Sequence, residues 1–261
     1  MISHFKRIFS KSYVISVFYI TKFSLRTQYQ NSFFGILWSL IQPLVFVGVT
    51  SVVFSIIMRF PFADHLIYMT SGVVTWNFFV NSVNTGSTSL VRRESLLKKC
   101  IVSKTIFPVA DVSGAFFVFT ISILVVLILI NGIIFHKLYF SVLYLPIAIL
   151  PLFITCICTS ILLAYLTPYF RDISHLVNVA LNVIFWTMPV AYPLEIIPEA
   201  KRIFFEYNPI YLLISPIQDV MYYGHFPTPI KFLLAFTVAG IAFLIALFTY
   251  AKLRKKVIYY L

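Results

Sequence analysis

The sequence predicts an all-α integral membrane protein: six transmembrane helices, an N-terminal amphipathic interfacial helix, and a re-entrant pair of short helices between helices 5 and 6. Three observations predict it. Uncharged intervals run over 27–58, 65–91, 112–136, 138–170, 173–194 and 232–251. Hydrophobic residues are 61% of the chain and charged ones 11%, against roughly 25% charged in a soluble domain. Lysine and arginine flank the uncharged intervals mostly on one side. A helix rises about 1.5 Å per residue, so about 20 apolar residues cross a hydrocarbon core. Backbone polar groups left unpaired in lipid are costly, so the spans are helices. The short alternating segments of a barrel are absent.

Residues 1–261 read as one transmembrane domain. The interfacial helix is expected over 4–25, where Phe5, Ile8, Phe9, Tyr13, Val17 and Ile20 share a face opposite Arg7, Lys11 and Lys22. Such a basic amphipathic helix lies in the membrane surface. A signal peptide is disfavoured, because the uncharged run is short and no small-residue cleavage site follows. The spans are expected over 33–58, 66–90, 107–135, 142–167, 173–194 and 231–251. The second is unusually polar. Thr70, Asn77, Asn81, Asn84 and Thr88 form a stripe that faces protein or water, either as a channel wall or as contacts between helices.

Between spans two and three, 92–105 is a short basic segment, and Asp111 follows at the entry of the third span, placed to cap it or to pair with a nearby base. Pro146 and Pro151 are expected to bend the fourth span. Asp172 is expected to cap the fifth. Residues 195–230 are too apolar for an exposed loop, yet Pro198, Asn208-Pro209, Pro216 and Gly224 break them. Two short helices dipping into one leaflet fit that pattern.

Charge sets the orientation. With six spans, both termini and the 92–105 and 168–175 loops share a side, and that side carries most of the 20 lysines and arginines. The termini are therefore expected in the cytoplasm. The net charge of +12 is spread over span ends rather than gathered on one face, which argues against nucleic acid. Cys100, Cys156 and Cys158 form no disulfide framework, and the five histidines have no metal-ligand spacing. No phosphate-binding glycine loop occurs, and the span centres hold no chain of acids for proton coupling. Energy for any pumping must come from another chain.

The pattern Arg26-x-x-Tyr29-x-x-Ser32-x-x-Gly35-x-Leu37-Trp38, with Pro43 after it, resembles the first-span signature of ABC-2-type polysaccharide export permeases. These are the membrane subunits of O-antigen, teichoic acid and capsule exporters, and the O-antigen branch is nearest. Ile106-Phe107-Pro108, Phe170-Arg171-Asp172, Pro189-Val190 with Tyr192, Ile197-Pro198 and Asn208-Pro209 match in the same order.

The resemblance implies a homodimer in the bacterial inner membrane that works with two copies of a separate ATP-binding subunit. That subunit would hold ATP and Mg, and this chain would bind no cofactor and catalyse no reaction. The implied cargo is an undecaprenyl-diphosphate-linked glycan. Arg92, Arg93, Glu94, Lys98 and Lys99 would form the ATPase-coupling segment, although positive-inside anchoring also explains those charges. Tyr29 and Trp38 would shape the cytoplasmic gate; Asn77, Asn81, Asn84 and Thr88 would line the channel; Asn208 and Pro209 would belong to the periplasmic gate. Arg26 and Arg59 lie where a lipid diphosphate needs cations, or serve as interfacial anchors. Two other readings are a permease for a drug or small lipid, and an ATP-independent membrane channel or scaffold.

Overall fold

A computed structural model describes residues 11–30, 32–59, 61–99, 102–128, 132, 139–254 and 256–260. Residues 4–10 of the expected interfacial helix, Cys100, and 129–131 and 133–135 at the end of the expected third span lie outside the described residues. Every regular element among the described residues is helical. In order these are α1 (Lys11–Tyr29), α2 (Trp38–Met58), α3 (Phe62–Ser87), α4 (Ser89–Arg92), α5 (Glu94–Lys99), α6 (Ile106–Val125), α7 (Leu145–Leu166), α8 (Ile173–Trp186), α9 (Glu199–Glu206), α10 (Pro209–Gln218) and α11 (Pro229–Leu253).

Among the described residues, four segments are long and apolar enough to cross a membrane: Gly35–Ile57, Ile106–Ile128, Phe140–Leu166 and Pro229–Leu253. The polar helix α3 runs through the middle of the bundle and packs against α2, α6, α7, α8 and α10. Its hydroxyls are largely satisfied by its own turns, since Ser71, Thr75, Thr85 and Thr88 each donate to a carbonyl three or four residues back. That internal pairing makes a serine- and threonine-rich helix affordable inside a bundle. The α3–α7 seam is close: a Cβ added to Gly86 would collide with Ser160, whose hydroxyl donates to the Ser82 carbonyl at 2.8 Å. Small residues four apart on both helices, Ser82 and Gly86 against Cys156 and Ser160, permit this approach.

Several expectations need correction. The fifth span, expected to 194, is helical only to Trp186. Pro189 and Pro193 remove donors and bias their predecessors to extended backbone, so 187–193 turns instead. Asp172 occupies the N-cap position of α8 but its side chain accepts no capping hydrogen bond. Pro146 opens α7 rather than bending it, and only Pro151 lies inside that helix.

Two ends of the bundle differ. At the α10 end, residues 211–218 are all buried. The Tyr68 hydroxyl donates to the carbonyls of Pro189 and Tyr192, and His65 bridges the Ser51 hydroxyl at 3.0 Å and the Ala191 carbonyl at 3.1 Å. Lys231 pairs with Asp219 at 2.8 Å, tying the start of α11 to the end of α10. At the α5 end, Leu90, Leu97, Phe107, Ala164, Tyr165 and Val257 form a separate apolar cluster. The Lys104 ammonium donates to the Arg254 carbonyl at 2.9 Å, and burial pulls its pKa below the ordinary lysine value.

Candidate functional site

A recess opens at the α5 end, with a volume of about 1150 Å³, between α1, α2, α3, α6 and α8. The link from α1 to α2 shapes its mouth. Gly35 sits at φ +50°, where a side chain is disfavoured, and its N–H donates to the Ser32 hydroxyl at 3.1 Å. A serine followed three residues later by glycine therefore shapes the link from α1 into α2, with Tyr29 and Trp38 on the two sides of it.

Helix α1 is lightly held, with no buried residue. Its contacts run along α6 and the adjoining turns: Tyr13 to Thr105 at 3.2 Å, Thr21 to the Ala110 carbonyl at 3.0 Å, and Leu25 against Gly114. Burial pushes the Tyr13 phenol up, while its hydrogen bond to Thr105 opposes the shift.

The walls combine amides and aromatic rings. Gln28, Gln42, Asn77, Asn81 and Asn182 supply neutral donors and acceptors. Trp76 and Phe185 lie 5.9 Å apart, with Phe46 6.3 Å from Phe185. Flat faces beside amides suit a sugar, whose C–H surface lies on rings while its hydroxyls exchange hydrogen bonds.

The charged residues among the described lining are Arg92, Arg93 and Asp111. The Arg93 guanidinium holds the Asp111 carboxylate in bidentate fashion, at 2.8 Å to Oδ2 and 2.6 Å to Oδ1, and reaches the Ser24 hydroxyl on α1 at 2.8 Å. Arg92 donates to the same Oδ2 at 2.9 Å and to the Thr85 carbonyl at 2.8 Å. The Asp111 side chain is 4% exposed, Arg93 18% and Arg92 50%. Of the two roles open to Asp111, pairing with a base is the one observed.

The recess gathers Tyr29, Trp38, Asn77, Asn81, Arg92 and Arg93 from the residues singled out in the sequence. Asn84 and Thr88 continue the stripe on α3 but do not line it; the Asn84 Oδ1 is buried without a hydrogen-bond partner. Glu94 and Lys98 form an ion pair four residues apart on α5, and Lys99 is exposed beside them. Arg26 is exposed and is not part of the lining. Arg59 is exposed at the opposite end of α2, in a left-handed conformation at φ 57°. Asn208 and Pro209 begin α10 at the far end, where the Asn208 Oδ1 caps the helix by accepting from Ile210 N at 3.0 Å. Gln28, Gln42 and Asn182 were not foreseen. The signal was present for Asn182, because Asn178 and Asn182 repeat at a helical spacing inside an apolar run. Among the described residues no group of three His, Cys, Asp or Glu side chains is arranged to hold a metal.

Residues 15–222 match the family described as ABC-2 type transporter. Among curated proteins, the chain is similar to two Klebsiella pneumoniae proteins named O-antigen export system permease protein RfbA. They are 25% and 26% identical over 207 residues, covering 78% of this chain and 79% of each relative. A Myxococcus xanthus protein of the same name is 27% identical over 205 residues, 78% of both chains.

Proposed function

Because this chain belongs to the ABC-2 type transporter family of multi-pass membrane proteins, we propose that it is the membrane subunit of an ATP-driven exporter of undecaprenyl-diphosphate-linked polysaccharide, O-antigen foremost. The observation that carries this reading is the amide- and aromatic-walled recess of about 1150 Å³ at the α5 end. The names of the relatives supply the cargo class. Six helices cross the inner membrane in this reading: α3 and α8 join the four long apolar segments, and both termini lie in the cytoplasm with α5. The α9–α10 pair re-enters from the periplasm and closes the exit.

Two copies of the chain assemble around the path. The open apolar faces of α2, with Val45, Val49, Val52 and Ile56, and of α8, with Leu176, Val179 and Val183, support a partner there beside lipid. Two ATP-binding subunits carry ATP and Mg. They dock on α5, where Glu94, Lys98 and Lys99 are the outward charges and Arg93, paired with Asp111, roots the segment in the bundle, with Arg92 beside it. The lipid-linked cargo approaches along α1 past Arg26 and passes between Tyr29 and Trp38. Arg59 anchors the outer end of α2.

The test uses a deletion strain carrying plasmid copies of the gene. Tyr29→Ala with Trp38→Ala should cut surface polysaccharide severalfold and accumulate lipid-linked glycan inside the cell, while the ATPase still co-purifies. Unchanged surface glycan would remove the recess from the transport path. An absence of lipid-linked glycan in the empty deletion strain would sink the cargo.

A further inference from the structure

Two arginines share one carboxylate at the mouth of the recess, and that stoichiometry has a consequence. Arg93 alone occupies both oxygens of Asp111. Removing Arg92 therefore leaves no buried carboxylate unpaired, which is the event that makes breaking a buried ion pair expensive. Arg92 also differs in setting, with half of its side chain exposed against less than a fifth for Arg93. The Arg92 guanidinium donates to Asp111 Oδ2 and the Thr85 carbonyl, and both acceptors lie on residues of the recess lining. The charged lining is two cations against one anion, a surplus of one positive charge. The same recess is lined by the amides of Asn81 and Gln28 and by the apolar Phe23 and Trp38.

We propose that this cluster seats the phosphate or diphosphate head of an amphiphilic anion, and that Arg92 is the guanidinium that exchanges from Asp111 to the ligand. Arg93 and Asp111 stay together as the fixed base of the seat. A planar guanidinium forks onto phosphate oxygens with two parallel hydrogen bonds, and the recess lets it turn without dragging the bundle. Asp111 is then a competitor of the ligand: it holds Arg92 when the seat is empty. The apolar neighbours favour a lipid-borne head over a free anion. The amphiphile's identity rests on the cargo reading above, whereas the seat itself rests on the geometry.

The assay is equilibrium binding of radiolabelled farnesyl diphosphate to the permease and its ATPase partner in phosphatidylcholine nanodiscs at low salt. Pyrophosphate and farnesol are the competitors. Arg92→Gln should weaken binding about tenfold, the loss of one charge-assisted contact, with an unchanged melting temperature in the absence of probe. Arg92→Lys should fall between the two, keeping the charge without the fork. Asp111→Asn should bind the probe at least as tightly as wild type, because Arg92 loses the carboxylate that competes for it while the amide oxygen still accepts from Arg93. A merely structural cluster predicts the opposite sign, a loss on Asp111→Asn matching that of Arg92→Gln, and that result overturns the proposal. So does wild-type binding by Arg92→Gln. Displacement by pyrophosphate as effective as by unlabelled farnesyl diphosphate overturns the lipid-borne source, and displacement by farnesol overturns the anion seat. Probe binding that follows these signs in a protein whose deletion strain accumulates no lipid-linked glycan would sink the cargo reading and leave the seat standing.

Discussion

The two ends of this bundle are built by opposite means. At the α10 end, the chain closes on itself with buried side chains: residues 211–218 sink completely, and carbonyls freed by the turn at 189–192 are taken up by Tyr68 and His65. The recess remaining there, beside Glu195 and Tyr223, holds about 430 Å³. At the α5 end the chain leaves about 1150 Å³ open, walled by amides and crossed by one ion cluster. Its outer flap, α1, buries no residue. Local stability follows buried contact, so α1 sits at the low end of the scale and α10 at the high end. The route proposed above takes its cargo in at the lightly attached end and keeps the packed end shut.

The sharpest way to break that contrast is to wedge the packed end. A Cβ on Gly72 would lie 2.7 Å from the Gln218 Nε2 and 2.9 Å from the Val190 Cγ1. Gly72→Val should cost about 2–3 kcal/mol by overpacking. It should also turn a cysteine at Leu213 from maleimide-resistant to reactive, in a background with Cys100, Cys156 and Cys158 changed to Ala. Persistent protection would show that α10 is not what seals that end.

A smaller loss is expected from Asn208→Ala, about 1 kcal/mol in thermal unfolding, because a side-chain cap is removed from α10. Ser24→Ala should cost less, about 0.6 kcal/mol for one interhelical hydrogen bond. Its effect should show as faster hydrogen exchange confined to α1, since Arg93 then loses its hold on that helix. Asp172→Ala should be nearly neutral, within about 0.5 kcal/mol, because its carboxylate caps nothing. Equal losses at Asn208 and Asp172 would contradict the cap assignments.

The long apolar segments were legible in the sequence because hydropathy over about 20 residues is a strong signal. The short pair α9–α10 was legible from proline punctuation in an apolar stretch. The end of α8 was not, because an uncharged interval says nothing of where Pro189 turns the chain. The recess was half legible. Asn77 and Asn81 betray themselves as costly residues in a span, and Tyr29 and Trp38 sit in a recognisable motif. Gln28 and Gln42 look like ordinary interfacial residues until α1 packs along α6 and the Gly35 turn brings both glutamines to the recess. The use of Arg93 was half legible as well. The sequence left Asp111 to cap a helix or to pair with a nearby base, and only the fold shows that Arg93 is that base.

The sparse attachment of α1 also bears on how the chain is built. Helix α1 leaves the ribosome before any of the residues that hold it. Its partners Thr105, Ala110 and Asp111-bound Arg93 all come from later in the chain. Helix α1 therefore has to wait on the membrane surface, its Val14, Phe18 and Phe23 side chains in lipid, until α6 is inserted. Assembly here runs against sequence order, with α1 docking only after the later helix α6 has presented its face.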